Sequence, residues 1–183
     1  MKRIALILFS SAVIMPAHAQ APGPDAFRRF EIGWNVVSYS RQESSNLYGG
    51  NLSFAVRAST RFGVVSEVGV HDTISSSKVE IVTYGFGPRL YGPTKGRMTP
   101  FAEILAGGSR ATTSFTAIFS GGQTTTSFSS NGFAFAAGGG LDVRIKPWFA
   151  WRAIQSDYSL LRIEGETSNG VRLATGIVFR FGS

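Results

Sequence analysis

Residues 171–181 read Val-Arg-Leu-Ala-Thr-Gly-Ile-Val-Phe-Arg-Phe, and they show the clearest structural pattern in the chain. Its odd positions, from Val171 to Phe181, are apolar apart from one threonine. Its even positions, from Arg172 to Arg180, are small or cationic apart from one valine. Side chains alternate between the two faces of a β-strand. The stretch is therefore predicted to be a strand with one apolar face and one face of small and charged residues.

The same alternation recurs along the chain in segments of about ten residues, the length of a tilted membrane-spanning strand. Eight strands are predicted, near 27–40, 48–59, 61–71, 78–90, 98–109, 128–145, 148–159 and 169–181. Short turns alternate with longer segments rich in Ser, Thr, Gly and Asn, which lie at 41–47, 72–77, 110–127 and 160–168. Short turns at one end and long loops at the other are typical of membrane barrels. The sequence predicts an all-β fold, an eight-stranded antiparallel up-and-down transmembrane β-barrel.

A soluble sandwich or lipocalin-like barrel is the alternative, because alternation alone does not say which face points inward. Two features favour lipid. The polar faces combine small residues with charges of both signs, which suits the narrow lumen of eight strands. Aromatic residues also gather at strand ends, as in the girdles of membrane barrels. These aromatic residues are Tyr39, Tyr48, Tyr91, Phe101, Trp148, Phe149, Trp151 and Tyr158.

Two predicted strands leave the facing of their side chains open. In 148–159, three polar residues (Arg152, Gln155 and Asp157) face the lumen together only if a β-bulge lies near residues 153–154. In 98–109, a lumen-facing Glu103 would carry its apolar neighbours at positions 101 and 105 inward with it.

The first residues are typical of an export signal. Lys2 and Arg3 precede a short apolar run, and Ala17-His18-Ala19 fits a cleavage site. We therefore expect a cleavable signal peptide at 1–19, a flexible lead at 20–26 and the barrel domain at 27–183. The apolar run is too short for a transmembrane anchor.

The formal net charge is +7, from 18 Lys and Arg against 11 Asp and Glu. The basic residues are scattered without a basic run or helix, so nucleic-acid binding is not expected. Anionic lipid headgroups, or basic turns on one side of the barrel, explain the balance more simply.

Five motifs carry a resemblance to a known family. They are Tyr84-Gly-Phe-Gly-Pro-Arg89, Pro100-Phe-Ala-Glu103, Gly138-Gly-Gly-Leu-Asp142, Asp157-Tyr158 and Gly176-Ile-Val-Phe-Arg-Phe181. With them the chain resembles the small bacterial outer-membrane β-barrels of the OmpA/OmpX type, often labelled porin-family proteins.

The resemblance implies an outer-membrane location, with outer-membrane lipid and lipopolysaccharide as surroundings. It also implies that Phe179 and Phe181 belong to the C-terminal signal read by the barrel-assembly machinery. The family signal usually ends on the aromatic residue, whereas Gly182 and Ser183 follow it here. Family members include structural anchors and adhesins, and some outer-membrane barrels are lipid-modifying enzymes.

Few residues in the sequence could support catalysis or metal binding. His71 is the one imidazole outside the predicted signal, and cysteine is absent. His71-Asp72 is interpreted as a polar strand end rather than a metal site. Ser38, Ser66 and Glu67 could approach His71 across neighbouring strands, but no enzyme pattern is evident. We expect no enzyme activity, no metal and no cofactor, and a lipid-modifying enzyme is the least favoured function.

The remaining charges are predicted to form a structural network that fills the lumen, because buried charges must be paired. The predicted members are Glu31, Glu67, Arg89, Glu103, Asp142, Arg144, Arg152, Asp157, Arg172 and Arg180. A small solute pore is the rival interpretation, and eight strands leave little room for one.

The longest predicted loop region, 110–130, alternates Ser and Thr with apolar residues around Gly121-Gly122, which indicates a protruding β-hairpin. An adhesin-like role, binding an extracellular partner through this hairpin by strand addition, is therefore an alternative to a purely structural role.

Overall fold

The computed structural model of the protein describes residues 28–42, 45–73, 78–119 and 122–182, and it leaves out the side chains of 42, 45, 78 and 115–125. The predicted signal peptide and lead lie outside these residues. Within the described ranges, no helix has the length and hydropathy needed to cross a membrane.

Eight antiparallel strands form one closed barrel, which confirms the predicted fold class. The strands are β1 (Phe30–Gln42), β2 (Ser45–Arg57), β3 (Phe62–Thr73), β4 (Lys78–Tyr91), β5 (Met98–Phe119), β6 (Gly122–Lys146), β7 (Phe149–Ile163) and β8 (Glu166–Phe181). Each strand pairs with its neighbour in sequence, and β1 pairs with β8 from Phe30↔Phe181 to Gln42↔Gly170. Closure leaves no open sheet edge around the ring, as a bilayer requires.

The burial pattern places most large apolar side chains outside and most charged side chains inside. On β3, Val64 and Val68 are exposed whereas Glu67 is buried. Trp34 and Phe86 are 53% and 69% exposed. Such a large exposed apolar surface would be unfavourable in water and is favourable in lipid. The soluble alternative, which requires an apolar interior, is therefore not supported.

Bulges in β7 and β1 change which side chains point inward. The β7–β8 register shifts between Arg152 and Gln155, so both of these residues and Asp157 are buried. The bulge therefore lies where the sequence required one. A second bulge, in β1, turns both Val36 and Val37 outward, and it was not predicted.

We call the barrel end that holds residues 58–61, 92–97 and 147–148 the turn end, and the opposite end the loop end. The strands reach further into the predicted loops at the loop end than expected. At the loop end, β7 and β8 are joined only by Glu164 and Gly165, whose φ angles are 53° and 92°. Two left-handed residues match the type I′ turn, whose twist lets the strand ladder continue to the last residue pair. Most residues of the predicted loops are therefore strand.

Aromatic side chains form an outward belt at the turn end. The Phe30 ring stacks on Phe54 and Phe181, with ring centroids 6.3 and 5.8 Å away. Tyr91 and Phe101, which were predicted for the girdles, instead face the lumen and are only 3% and 6% exposed. They point inward because they share their strand faces with Arg89 and Glu103.

Candidate functional site

The lumen holds a network of ion pairs, and its turn-end half is organised around the Glu31 carboxylate of β1. Arg180 Nε donates to Glu31 Oε1 at 3.0 Å, and Arg57 approaches the same oxygen at 3.4 Å. The Tyr91 hydroxyl donates to Glu31 Oε2 at 2.9 Å, and Arg89 lies 3.7 Å from that oxygen. Glu31 therefore links β1 to β2, β4 and β8 through charged and polar contacts.

Two further carboxylates, Asp142 and Glu103, complete this half. Arg152 Nε donates to Asp142 Oδ1 at 2.9 Å, and Arg180 donates to Asp142 Oδ2 at 2.7 Å. Arg89 Nε donates to Glu103 Oε2 at 2.6 Å. Charge-assisted hydrogen bonds of this kind are among the stronger contacts in proteins.

Gln155 lies at the centre of the network and is fully buried. Its Oε1 accepts hydrogen bonds from Asn35 and Arg152, both at 3.1 Å. Its Nε2 donates to Glu103 and Asp157, both at 2.9 Å. All four hydrogen-bonding positions of the amide are used. The uncharged Gln155 thus separates two carboxylates and joins the two halves of the lumen.

The loop-end half is smaller. Arg172 NH2 donates to Asp157 Oδ2, and Arg172 NH1 donates to Glu67 Oε1, both at 2.6 Å. Asn51 donates to the same Glu67 oxygen at 2.9 Å.

Five carboxylates and five guanidinium groups balance the charge of the described lumen network. The acids are Glu31, Glu67, Glu103, Asp142 and Asp157, and the bases are Arg57, Arg89, Arg152, Arg172 and Arg180. Burying ions away from water is costly unless each is paired and hydrogen-bonded. The arrangement fills the turn-end half of the barrel with mutually paired side chains.

Aromatic rings lie beneath several guanidinium groups. The Phe101 ring centroid is 4.8 Å from Arg89 Cζ and 4.4 Å from Arg152 Cζ. The Tyr91 ring centroid is 4.0 Å from Arg57 Cζ. These cation–π contacts explain why two aromatic residues occupy a lumen full of charge.

The structure brings together nine of the ten residues predicted for the lumen network and places Arg144 apart from them. Arg144 is exposed at the turn end, where its side chain donates to the Gly96 carbonyl at 3.3 Å. Arg144 shares a face of β6 with the buried Asp142, but it lies two residues closer to the turn end, outside the filled part of the lumen.

The prediction of ten charged residues did not include Arg57 or four uncharged members of the network. Asn35, Asn51, Tyr91 and Gln155 all make buried hydrogen bonds to network residues. The asparagines lie on polar strand faces, but an uncharged amide, unlike a buried ion, does not require a partner of opposite charge. Tyr91 resembled a girdle residue because it ends a strand.

Exposed basic side chains cluster at the turn end. Six of them lie there: Arg29, Arg61, Lys95, Arg97, Arg144 and Lys146. The described turn segments 57–62, 91–98 and 144–149 contain no acidic residue. The turn end therefore presents an uncompensated positive rim next to the aromatic belt.

The β5–β6 hairpin extends beyond the ring of strands. Its residue pairs continue without a break from Met98↔Val143 to Phe119↔Gly122. β4 pairs with β5 only up to Ser114, and β7 pairs with β6 only from Gly132 onward. Among the described residues, the 122–131 segment of β6 therefore pairs only with β5. Its base carries hydroxyl pairs, with Thr112–Ser129 at 3.2 Å and Ser114–Ser127 at 3.0 Å.

Potential catalytic and metal-binding groups are few. Ser38 Oγ and His71 Nε2 are 2.9 Å apart and both residues are buried, whereas Ser66 faces outward. No group of three or more His, Cys, Asp and Glu residues suited to a metal ion occurs in the described ranges.

Comparison with solved structures identifies similar barrels at low sequence identity. No family model and no curated protein sequence matches the chain. Neisserial surface protein A is 11% identical with a TM-score of 0.63, over 83% of this chain and 96% of that one. Ail, the attachment invasion locus protein of Yersinia pestis, is 18% identical with a TM-score of 0.54, over 82% and 97%. OprG of Pseudomonas aeruginosa is 12% identical with a TM-score of 0.50, over 86% and 97%.

All three are outer-membrane or surface proteins, and each is matched over nearly its whole length. The chain therefore has the fold of the small eight-stranded β-barrels of bacterial outer membranes, and its apolar outer surface supports the same location.

Proposed function

We propose that the protein is an integral outer-membrane β-barrel with a structural or surface-interaction role and a lumen closed by side chains. The observation that carries this proposal is the pairing of five buried acids with four buried guanidinium groups and the partly buried Arg57 inside an apolar outer wall. An open channel would leave such groups hydrated and lining water, whereas here they contact one another. Wide aqueous channels are found in barrels of about 16 strands.

The closed lumen predicts that the purified barrel conducts no steady ion current in planar bilayers. Arg172→Gln should leave the bilayer silent as well, since the turn-end half of the network remains in place. A functional porin measured in the same bilayers is the positive control. Stable single-channel steps that change in size with Arg172→Gln would show instead that the protein is a small solute pore.

An enzymatic role has little support from the site. The Ser38–His71 pair resembles part of a catalytic arrangement, but Ser38 is only 1% exposed. A nucleophile must reach its substrate. We therefore favour a hydrogen bond that satisfies two buried polar groups over a catalytic dyad, and we propose no cofactor.

The proposed surroundings are outer-membrane lipid and lipopolysaccharide. The aromatic belt and the positive rim at the turn end suit a headgroup region that contains anionic phosphate. Phe179 and Phe181 face outward on the last strand, where the barrel-assembly machinery could contact them during insertion. No nucleic-acid role is proposed.

The second candidate function is adhesin-like binding through the β5–β6 hairpin. The extension of β6 beyond β7 favours it, because unpaired backbone groups along 122–131 can accept an added strand from a partner polypeptide. The attachment protein Ail shares the fold, although that likeness is to the barrel as a whole.

Replacing residues 115–126 with Asn-Gly should remove the hairpin and leave the barrel intact. Ser114 and Ser127 lie directly opposite each other, so a two-residue type I′ turn can join them. We expect normal insertion but loss of any surface attachment, measured as adhesion of expressing cells to host cells or matrix. A variant with residues 115–126 in scrambled order, still alternating, is the control and should keep attachment by strand addition. Unchanged adhesion after the replacement would exclude the hairpin.

A further inference from the structure

Charged residues outside the lumen are distributed unequally between the two ends of the barrel. At the loop end both signs occur together, and the described residues there are Asp72, Glu80, Glu164 and Glu166 with Arg41, Arg110 and Arg162. At the turn end, no described carboxylate forms an ion pair with any of the six side chains of the positive rim. The excess positive charge of the described barrel surface is therefore concentrated at the turn end.

The rim cations lie directly beside the outermost lipid-facing side chains. Four strand ends share this order, with Arg29 beside Phe30, Arg61 beside Phe62, Arg97 beside Met98 and Lys146 beside Ile145. The apolar member of each pair is between 37% and 51% exposed. One strand residue advances the chain by about 3.3 Å, so these cations lie where the hydrocarbon meets the headgroups.

The rim is densest where β5 begins and β6 ends. The Arg144 backbone N–H donates to the Arg97 carbonyl at 2.7 Å, which places these two residues side by side. Lys146 follows on the same strand, and its Nζ lies 5.5 Å from the centroid of the Trp148 ring. Tryptophan is enriched at the membrane interface. Trp148 therefore marks the headgroup level next to three exposed cations.

We infer that the turn end selects phospholipids with a net negative headgroup over zwitterionic phospholipids, through phosphate contacts to Arg97, Arg144 and Lys146. The inference deepens the proposed function and rests on the membrane insertion proposed there. Guanidinium groups bind phosphate oxygens with two parallel hydrogen bonds, and an ammonium group adds a point charge. A zwitterionic headgroup carries its own cation, and the described turn segments contain no acid to receive it.

The position of the cations favours a lipid over a soluble polyanion. A soluble partner would contact groups that project away from the membrane, whereas the rim cations alternate with lipid-facing residues along the chain. The occupant we propose is therefore the headgroup of an anionic phospholipid.

The test measures which lipid lies beside Trp148. Trp34→Phe with Trp151→Phe leaves Trp148 as the single tryptophan, because the chain has three. The barrel is inserted in vesicles that mix phosphatidylglycerol with phosphatidylcholine, and only one of the two lipids is brominated in each sample. Quenching of the Trp148 fluorescence by each brominated lipid gives the relative affinity of the two lipids for this position.

We expect a preference for phosphatidylglycerol of about threefold at about 0.01 M salt, which falls towards one at about 1 M salt because salt screens exposed charges. Arg144→Gln with Lys146→Gln should remove most of this preference. Arg110→Gln with Arg162→Gln removes the same charge from exposed loop-end positions and is the matched control. It should keep the preference of the parent.

Equal quenching by the two brominated lipids, or an equal loss of the preference in both double variants, would overturn the inference while leaving the barrel in the membrane. Quenching by neither lipid would overturn it together with the insertion on which it rests. Absence of a lipid preference, combined with binding of soluble polyphosphate that is lost in Arg144→Gln with Lys146→Gln, would assign the rim to a soluble polyanion instead.

Discussion

Replacing Gln155 with glutamate is expected to lower the free energy of unfolding by about 3–5 kcal/mol, the cost of an uncompensated buried charge. The substitution preserves shape but replaces the Nε2 donor, which now bonds to Glu103 and Asp157, with an acceptor. Three carboxylates would then meet at the centre of the lumen, and six acids would face five guanidinium groups. Urea-induced unfolding of the barrel in phospholipid vesicles, followed by tryptophan fluorescence, measures the loss.

Asn169→Asp is the matched control for this experiment, because it converts an exposed amide on β8 into the same charge. Its effect should stay within about 0.5 kcal/mol, as for most surface substitutions. A Gln155→Glu barrel as stable as the parent would mean that water enters the lumen and screens the network, contrary to the closed lumen proposed above.

Val68→Arg should destabilise the inserted barrel by about 2–4 kcal/mol, the cost of arginine facing the middle of the bilayer. Val68 is 50% exposed, points outward and lies near the middle of β3. In water the same substitution on an exposed strand position would cost little. The measurement is the same urea titration in vesicles.

Val64→Arg provides the control on the same strand and the same face. Val64 is 48% exposed and lies four residues closer to the turn end. The cost of a lipid-facing arginine falls to about 0–1 kcal/mol near the interface, so Val64→Arg should cost clearly less than Val68→Arg. Equal and small effects at both positions would contradict a lipid-facing outer wall.

Much of the fold could be predicted from the sequence because two constraints apply. The alternation of apolar and polar residues sets the facing of each strand, and the membrane thickness sets its minimum length. The two faces of 171–181 lie as predicted, with Arg172 and Arg180 buried and Leu173 and Phe179 exposed. The three polar residues of β7 required a bulge, and the bulge is present between Arg152 and Gln155. The facing of 98–109 was left open by the sequence, and the structure turns Phe101 and Leu105 inward together with Glu103.

Other features depend on contacts between strands, which a single sequence does not display. The extra length of β5 and β6 comes from hydrogen-bonded pairing between these two strands that continues beyond the ring. The Ser- and Thr-rich sequence there is compatible with both loop and strand, so it did not predict this pairing. The bulge in β1 places the neighbouring residues Val36 and Val37 on the same outer face. Both are apolar, so no misplaced polar residue in the sequence indicates the bulge. The central role of Gln155 depends on partners from β1, β5 and β7 meeting in space.

The most direct test of a membrane-inserted closed barrel is gel mobility in SDS, comparing boiled and unboiled outer-membrane fractions. Closed barrels in which every backbone group is paired resist unfolding in cold detergent. We predict that the protein is found in the outer-membrane fraction and that boiling shifts its mobility. Recovery in the soluble periplasmic fraction with no mobility shift would contradict a membrane-inserted closed barrel.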